Sequence, residues 1–132
     1  MADTGTFQCS VIAPERAVLE CDARLVVFPA HDGEMGILQN RAPLLCRVGI
    51  GRLRVETPDE AHTFFVAGGF AQVVANKLTI LTEQAARPEE LDGEAAKQAL
   101  VEARAMKIDD DESFDARQDA IKCAQVQLKL AK

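Results

Sequence analysis

The stretch Phe70-Ala71-Gln72-Val73-Val74-Ala75-Asn76-Lys77-Leu78-Thr79-Ile80-Leu81 reads as two strands joined by a tight turn. Phe70 to Ala75 and Leu78 to Leu81 carry the apolar and β-branched side chains that suit a pleated sheet. Asn76-Lys77 between them reads as a two-residue hairpin loop, because Asn tolerates φ > 0. The same grammar repeats outward along the chain. Phe7, Cys9 and Val11 alternate with Gln8 and Ser10, the mark of a half-buried strand. Leu25-Val26-Val27-Phe28 is an apolar run that stops at Pro29. Gly51-Arg52-Leu53-Arg54-Val55-Glu56 puts its charges on one face, Pro58-Asp59-Glu60 turns, and Thr63 to Val66 returns. Strands this short and this regularly spaced predict a sandwich or barrel rather than βαβ units.

The chain changes character near residue 85. Residues 1–84 hold seven of the eight glycines and four of the five prolines, whereas residues 85–132 hold eleven alanines. Gly and Pro punctuate turns, and Ala is the best helix former. The spacing predicts one helix from Gly93 to Lys107, N-capped by Asp92, with Ala96, Ala99, Leu100, Ala103 and Met106 on one face. Residues 107–112 are a polar break. Ser113 is expected to cap a second helix running to Leu130. Its acids, Asp115 and Asp119, come early. Lys122, Lys129 and Lys132 come late, as the helix dipole prefers. Phe114, Ile121, Ala124, Leu128 and Ala131 form one apolar stripe; Cys123, Val126 and Leu130 form another on nearly the opposite face. A helix with two apolar faces must touch two things. The short link makes the first helix one of them, in an antiparallel hairpin. The expected fold class is α+β, a β domain over 1–86 followed by a helical hairpin over 87–132.

At 132 residues the chain is long enough for a core, since a domain of this size buries roughly two-thirds of its unfolded surface. Its formal charge of −6 argues against duplex binding, which needs a basic footprint. No apolar run approaches the ~18 residues that would span a bilayer. The first residues lack a basic n-region and an apolar h-region, so neither a signal peptide nor a transit peptide is expected. The four cysteines sit at 9, 21, 46 and 123, with no C-x-x-C pair. They read as reduced structural residues rather than zinc or redox ligands. With no Trp, no Tyr and six Phe, the core is expected to be mostly aliphatic.

Candidate chemistry is sparse. His31-Asp32-x-Glu34 gathers ligand types, but it lies in a turn, Asp32-Gly33-Glu34-Met35-Gly36, with no second His at ligand spacing. Asp109-Asp110-Asp111-Glu112 lacks the alternating oxygens and central Gly of a calcium loop and reads as a solvated connector. Gly68-Gly69 starts no helix, so no phosphate cradle follows. No nucleophile motif supports a catalytic triad. The residues by themselves lead to an interaction protein, a β domain with a helical hairpin. A small cupin-like enzyme and a helix-in-groove adaptor are the competing readings.

Four stretches resemble the epsilon subunit of bacterial and chloroplast F-type ATP synthases. They are Val11-Ile12-Ala13-Pro14-Glu15-Arg16, Pro29-Ala30-His31-Asp32-Gly33-Glu34-Met35-Gly36-Ile37-Leu38, Arg41-Ala42-Pro43-Leu44-Leu45, and Phe65-Val66-Ala67-Gly68-Gly69-Phe70-Ala71-Gln72-Val73, continued by residues 76–85. The resemblance implies an antiparallel β-sandwich of about ten strands plus a two-helix hairpin. It implies a non-catalytic rotor subunit of the central stalk, with no cofactor of its own, peripheral on the cytoplasmic face of a bacterial inner membrane or the stromal side of a thylakoid. The sandwich would bind the gamma subunit and the c-ring, with Asp32, Glu34 and Arg41 on the c-ring side. The hairpin would regulate ATP hydrolysis by extending toward the alpha and beta subunits of the catalytic head, with Lys122, Val126, Lys129 and Leu130 on its regulatory face. Two departures stand out. Gln39-Asn40-Arg41 replaces the family's usual Pro-Gly-His. Leu91-Asp92-Gly93-Glu94-Ala95-Ala96 keeps the Asp of an ATP motif found in some bacterial members, but has Ala95 where that motif has Arg. Losing that cation removes a charge-assisted phosphate contact worth roughly 1.5–3 kcal/mol. Asp92 and Arg117 remain as weak ATP-contact candidates.

Overall fold

The computed structural model describes residues 5–30 and 33–131. Among them, ten strands precede two helices: β1 (Phe7–Ala13), β2 (Arg16–Ala23), β3 (Leu25–Ala30), β4 (Gly33–Ile37), β5 (Leu44–Arg47), β6 (Ile50–Glu56), β7 (Ala61–Ala67), β8 (Phe70–Val74), β9 (Lys77–Leu81), β10 (Gln84–Ala86), α1 (Gly93–Arg104) and α2 (Asp111–Leu130). His31 and Asp32, expected in a turn, and Lys132, expected at a helix end, lie outside the described residues. Two units result, Met1–Ala85 and Ala86–Lys132.

The strands form two five-stranded sheets, ordered β2-β1-β9-β8-β5 and β10-β7-β6-β3-β4. Each strand contributes alternate residues to the space between them. On β6, Gly51, Leu53 and Val55 are buried while Arg52 and Arg54 face out. Val11, Val26, Phe28, Leu53, Val55, Phe64, Leu78 and Ile80 are among the fully buried residues of one continuous core. The sandwich is expected to be antiparallel, and one pairing departs from that. β1 runs parallel to β9, from Gln8 opposite Lys77 to Ile12 opposite Leu81. A hairpin cannot join parallel neighbours, and here the long excursion through both sheets does so.

Three local expectations are corrected. The run at Leu25 does not stop at Pro29: β3 continues to Ala30, with Pro29 opposite Glu34. The missing N–H costs nothing, because the β3–β6 pairing runs only from Leu25 to Val27. The Pro29 carbonyl instead accepts from the Gly49 N–H at 2.8 Å. Second, Gly33 to Gly36 are not a turn but most of β4, which pairs residue for residue with β3. Third, the hairpin loop between β8 and β9 is Ala75-Asn76, not Asn76-Lys77. Val74 pairs with Lys77, and φ is +51° at Ala75 and +60° at Asn76.

Gly69 marks the tightest approach in the sandwich. Its φ is +112°, and a Cβ there would overlap the Leu81 carbonyl oxygen. Only glycine lets the β7–β8 turn close onto the end of β9.

In the second unit, Asp92 caps α1 as expected, its carboxylate accepting from the Glu94 N–H at 2.9 Å. α1 ends at Arg104 rather than Lys107, and the Ala105 N–H is the cap donor there. Ser113 does not cap α2. Asp110 does, accepting from the Ser113 N–H at 2.8 Å, while the Ser113 Oγ receives the Asp110 N–H at 3.0 Å. This is the reciprocal capping box, with Ser in the third helical position. Ala99 and Met106 are exposed, so the packed stripe of α1 narrows to Ala96, Leu100 and Ala103. Phe114 is likewise largely exposed rather than in the seam. The helices run antiparallel, with Gly93 at the start of α1 placed so that a Cβ would touch Ala131 beyond the end of α2.

Candidate interaction surfaces

The outward face of the first sheet is where polar side chains are expected and apolar ones are found. Leu45 is 69%, Phe70 49%, Val74 49% and Leu81 50% exposed. Register explains why they share a face. Phe70 lies opposite both Leu81 and Arg47, Leu45 opposite Gln72, and Ile12 opposite Leu81. The Arg47 guanidinium sits 6.0 Å from the Phe70 ring centroid, at the limit of a cation–π contact. At the end of this face a groove of about 420 Å³ is lined by Ile12, Pro14, Gly69, Phe70, Leu81 and Glu83, among others. Gly69, which approaches the end of β9 closely, is among its lining residues. Apolar area gathered this way on an otherwise charged chain is a docking surface in character. The sequence carried a signal for it: Phe70, Val74 and Leu81 occupy the positions that alternate with the buried Ala71, Val73, Leu78 and Ile80.

The c-ring candidates lie on β4 and in the connection that follows it. Glu34 is exposed on β4, the edge strand of the second sheet, and Gly33 before it has φ of +136°. Arg41 is exposed in the connection to β5, where its charge acts on the Cys46 thiol and partly offsets the rise caused by burial. Asp32 falls outside the described residues. Leu38, between Glu34 and Arg41, is an exposed apolar residue. Asn40 has φ of +63°, a left-handed backbone conformation that Asn tolerates.

The helical candidates divide. Lys122 and Lys129 are exposed on α2, and Val126 and Leu130 are half-buried. Asp92 is committed to capping α1. The Arg117 Nη2 donates to the Arg104 carbonyl oxygen at 3.2 Å, at the opposite end of the same helix. Twelve residues at ~1.5 Å each separate the two ends by about 18 Å. Asp92 and Arg117 are therefore not brought together. Among the described residues, no group of three His, Cys, Asp or Glu side chains is placed to hold a metal ion. No helix among them is long and apolar enough to cross a membrane.

Residues 6–88 match the family described as ATP synthase, Delta/Epsilon chain, beta-sandwich domain. The chain is 35% identical to the ATP synthase epsilon chain of Rhodopirellula baltica, over 96% of this chain and 99% of that protein. It is 37% identical to the chloroplastic ATP synthase epsilon chain of Tetradesmus obliquus, over 72% of this chain and 70% of that one. In fold it is similar to a chain in the Euglena gracilis mitochondrial ATP synthase (OSCP/F1/c-ring), with a TM-score of 0.82, 23% identity, and coverage of 95% of this chain and 81% of that chain.

Proposed function

Since the chain belongs to the family of ATP synthase epsilon chains, we propose that it works as a non-catalytic rotor subunit, clamped between the gamma subunit and the c-ring. The observation that carries this reading is the apolar outer face of the first sheet, centred on Phe70 and Leu81. A protein of net charge −6 has no reason to expose that face to water unless a partner covers it. The gamma subunit is the partner that the family supplies. Glu34 and Arg41, exposed on and after the second sheet's edge strand, are assigned to the polar loops of the c-ring; Asp32, the third residue of that assignment, lies outside the described residues. The whole then sits peripherally at a membrane through the complex, on the cytoplasmic face in a bacterium or the stromal side in a plastid.

The hairpin is assigned a regulatory role. Its seam is built from small residues, with Ala96, Ala103 and Ala124 the buried ones. Such a seam buries little apolar area, at ~25 cal/mol per Å², so the paired helices are only modestly favoured over an opened arrangement. Lys122, Val126, Lys129 and Leu130 would then meet the alpha and beta subunits. The test is co-purification of the tagged full chain with gamma, with and without Phe70→Glu. Retention of gamma by the wild type and its loss from the variant supports the assignment. Equal retention by both removes it.

A further inference from the structure

Cys9 and Cys21 are direct partners in the antiparallel pairing of β1 with β2. Residues that face each other across such a pair project to the same side of the sheet, with Cβ atoms ~4.5–5.5 Å apart. Here that side is the core. Cys9 is wholly buried, and Cys21 is half-buried and packed against the same cluster. The Cα separation of facing antiparallel residues, ~4.5–5.5 Å, lies within the ~4.4–6.8 Å that a disulfide spans. β2 is an edge strand, paired on one side only, so it is free to make the small approach that closure needs. The other two cysteines lack this arrangement. Cys46 faces Ala71 on β8, and Cys123 is on α2.

We propose that Cys9 and Cys21 form a modification site, a cross-strand dithiol that a small-molecule disulfide converts into an intramolecular cystine stitching edge strand β2 to β1. The exchange starts at Cys21, the more accessible sulfur. Its thiolate attacks one sulfur of the oxidant; the oxidant's S–S bond breaks, and the first small thiolate leaves and takes up a proton. Cys21 now carries a mixed disulfide. The Cys9 sulfur then displaces the second small thiolate from the Cys21 sulfur, and the Cys9 proton passes to that departing thiolate. Two protein thiols are oxidised and one small disulfide is reduced to two thiols, so atoms and electrons balance.

Burial governs the rate. It pushes the Cys9 thiol up to about 12, with the neighbouring Cys21 adding to the rise. Burial also raises Cys21, helped by the carboxylates of Asp22 and Glu60. Closure is therefore slow at neutral pH and favours a neutral or cationic oxidant over an anionic one. The dithiol stays reduced until a sustained oxidising challenge arrives.

The experiment treats the reduced full chain with hydroxyethyl disulfide, a neutral oxidant, at mildly alkaline pH. The expected result is a fall from four free thiols to two and a mass lower by the two hydrogens lost. After non-reducing trypsin digestion, the peptide of residues 1–16 should be joined to that of residues 17–24. Cys46→Ser should leave this product unchanged, and Cys21→Ser should abolish it. In concentrated guanidinium the preference for the pair should fall to the few-fold advantage of its short loop, because the folded register that creates the rest is lost. The oxidised chain should melt several degrees above the reduced one, since the bond closes a short loop in the unfolded chain. If Cys21 stops at the mixed disulfide while Cys9 stays a thiol, or if the folded chain yields other pairings as readily, the proposal is overturned.

Discussion

The backbone N–H of Asn40 donates to the side-chain Oδ1 of Asn76 at 2.8 Å, and both residues hold left-handed backbone. They are the chain's two asparagines, 36 positions apart. The Asn76 Nδ2 donates in turn to the Thr6 carbonyl oxygen at 3.2 Å, and the Asn76 carbonyl accepts from the Gln8 N–H at 3.2 Å. One side chain in a hairpin loop thus ties the β4–β5 connection to the chain entering β1.

Substituting Asn76 separates its two roles. Asn76→Gly keeps the left-handed backbone but removes both side-chain hydrogen bonds, and should cost about 1–3 kcal/mol of sandwich stability. Asn76→Ala should cost about 1 kcal/mol more, because Ala resists positive φ. Urea unfolding of the three chains would measure this; a Gly variant as stable as the wild type would mean that the amide tethers nothing.

Ala75 carries strain that its neighbour does not. An L-residue in the left-handed region is disfavoured by ~1–2 kcal/mol, and Gly returns only ~0.4–1 kcal/mol of that as unfolded-state entropy. Ala75→Gly should therefore stabilise the sandwich by about 0.5–1 kcal/mol, read as a higher urea midpoint with an unchanged slope. A lower midpoint would count against the positive φ at Ala75.

The same loop marks how far the sequence could be read. Asn76 identifies the hairpin, yet the sequence points to a loop one residue late, because Ala75 is not a residue that announces a primed turn. The sandwich itself was legible in the alternation on β1 and β6, and the hairpin in the alanine-rich periodicity. Gly33 to Gly36 misled because glycines and acids are turn residues, whereas pairing with β3 overrides that preference. For Phe70, Val74 and Leu81 the sequence shows only that they alternate with buried residues. Alternation says that a strand has two faces, but not that both are apolar for separate purposes. The antiparallel hairpin was legible in the short link between α1 and α2, but the contact of Arg117 with the Arg104 carbonyl, at the end of α1 away from Asp92, depends on side-chain packing that no local pattern encodes.

Phe70 and Leu81 face each other across β8 and β9 at the centre of the exposed apolar face. An apolar anchor at the middle of an interface commonly contributes about 2 kcal/mol or more, which is roughly 30-fold in affinity. Phe70→Glu and Leu81→Glu should each weaken gamma binding by at least that factor in a titration. Both side chains are half-exposed, so melting temperatures should change little. Full-strength gamma binding by both variants would move the interface elsewhere.

Cys9 should make the sandwich sensitive to alkali. Burial raises its folded-state pKa from 9.0 to about 12, so the folded chain holds that proton more tightly than the unfolded chain does. The resulting stability is fully present below about pH 9 and is lost as pH rises toward 12. Urea midpoints measured from pH 7 to pH 11 should fall with pH above 9, and the fall should be shallower in Cys9→Ala, though that variant starts from lower stability because of the cavity. A wild-type midpoint that stays flat to pH 11 would show that Cys9 ionises without cost.

Arg117 holds the end of α1 in the paired hairpin through the Arg104 carbonyl. A cation at a helix C-terminus contributes ~0.3–1 kcal/mol, and the alanine seam leaves few other contacts to replace it. Arg117→Met should loosen the α1–α2 pairing, seen as faster amide exchange in both helices of the isolated chain. A loss near 1 kcal/mol shifts a two-state hairpin by about five-fold toward its opened form. If that form is the inhibitory one, Arg117→Met should lower ATP hydrolysis by the assembled enzyme, and deletion of residues 87–132 should raise it. ATP itself should matter little. Asp92 caps one end of α1, Arg117 serves the other, and Ala95 offers no charge between them. Millimolar ATP should leave the melting temperature of the isolated chain unchanged. Calorimetric binding of ATP with a rise in melting temperature, abolished by Arg117→Met, would mean that Arg117 leaves the Arg104 carbonyl for phosphate, and that the hairpin senses nucleotide after all.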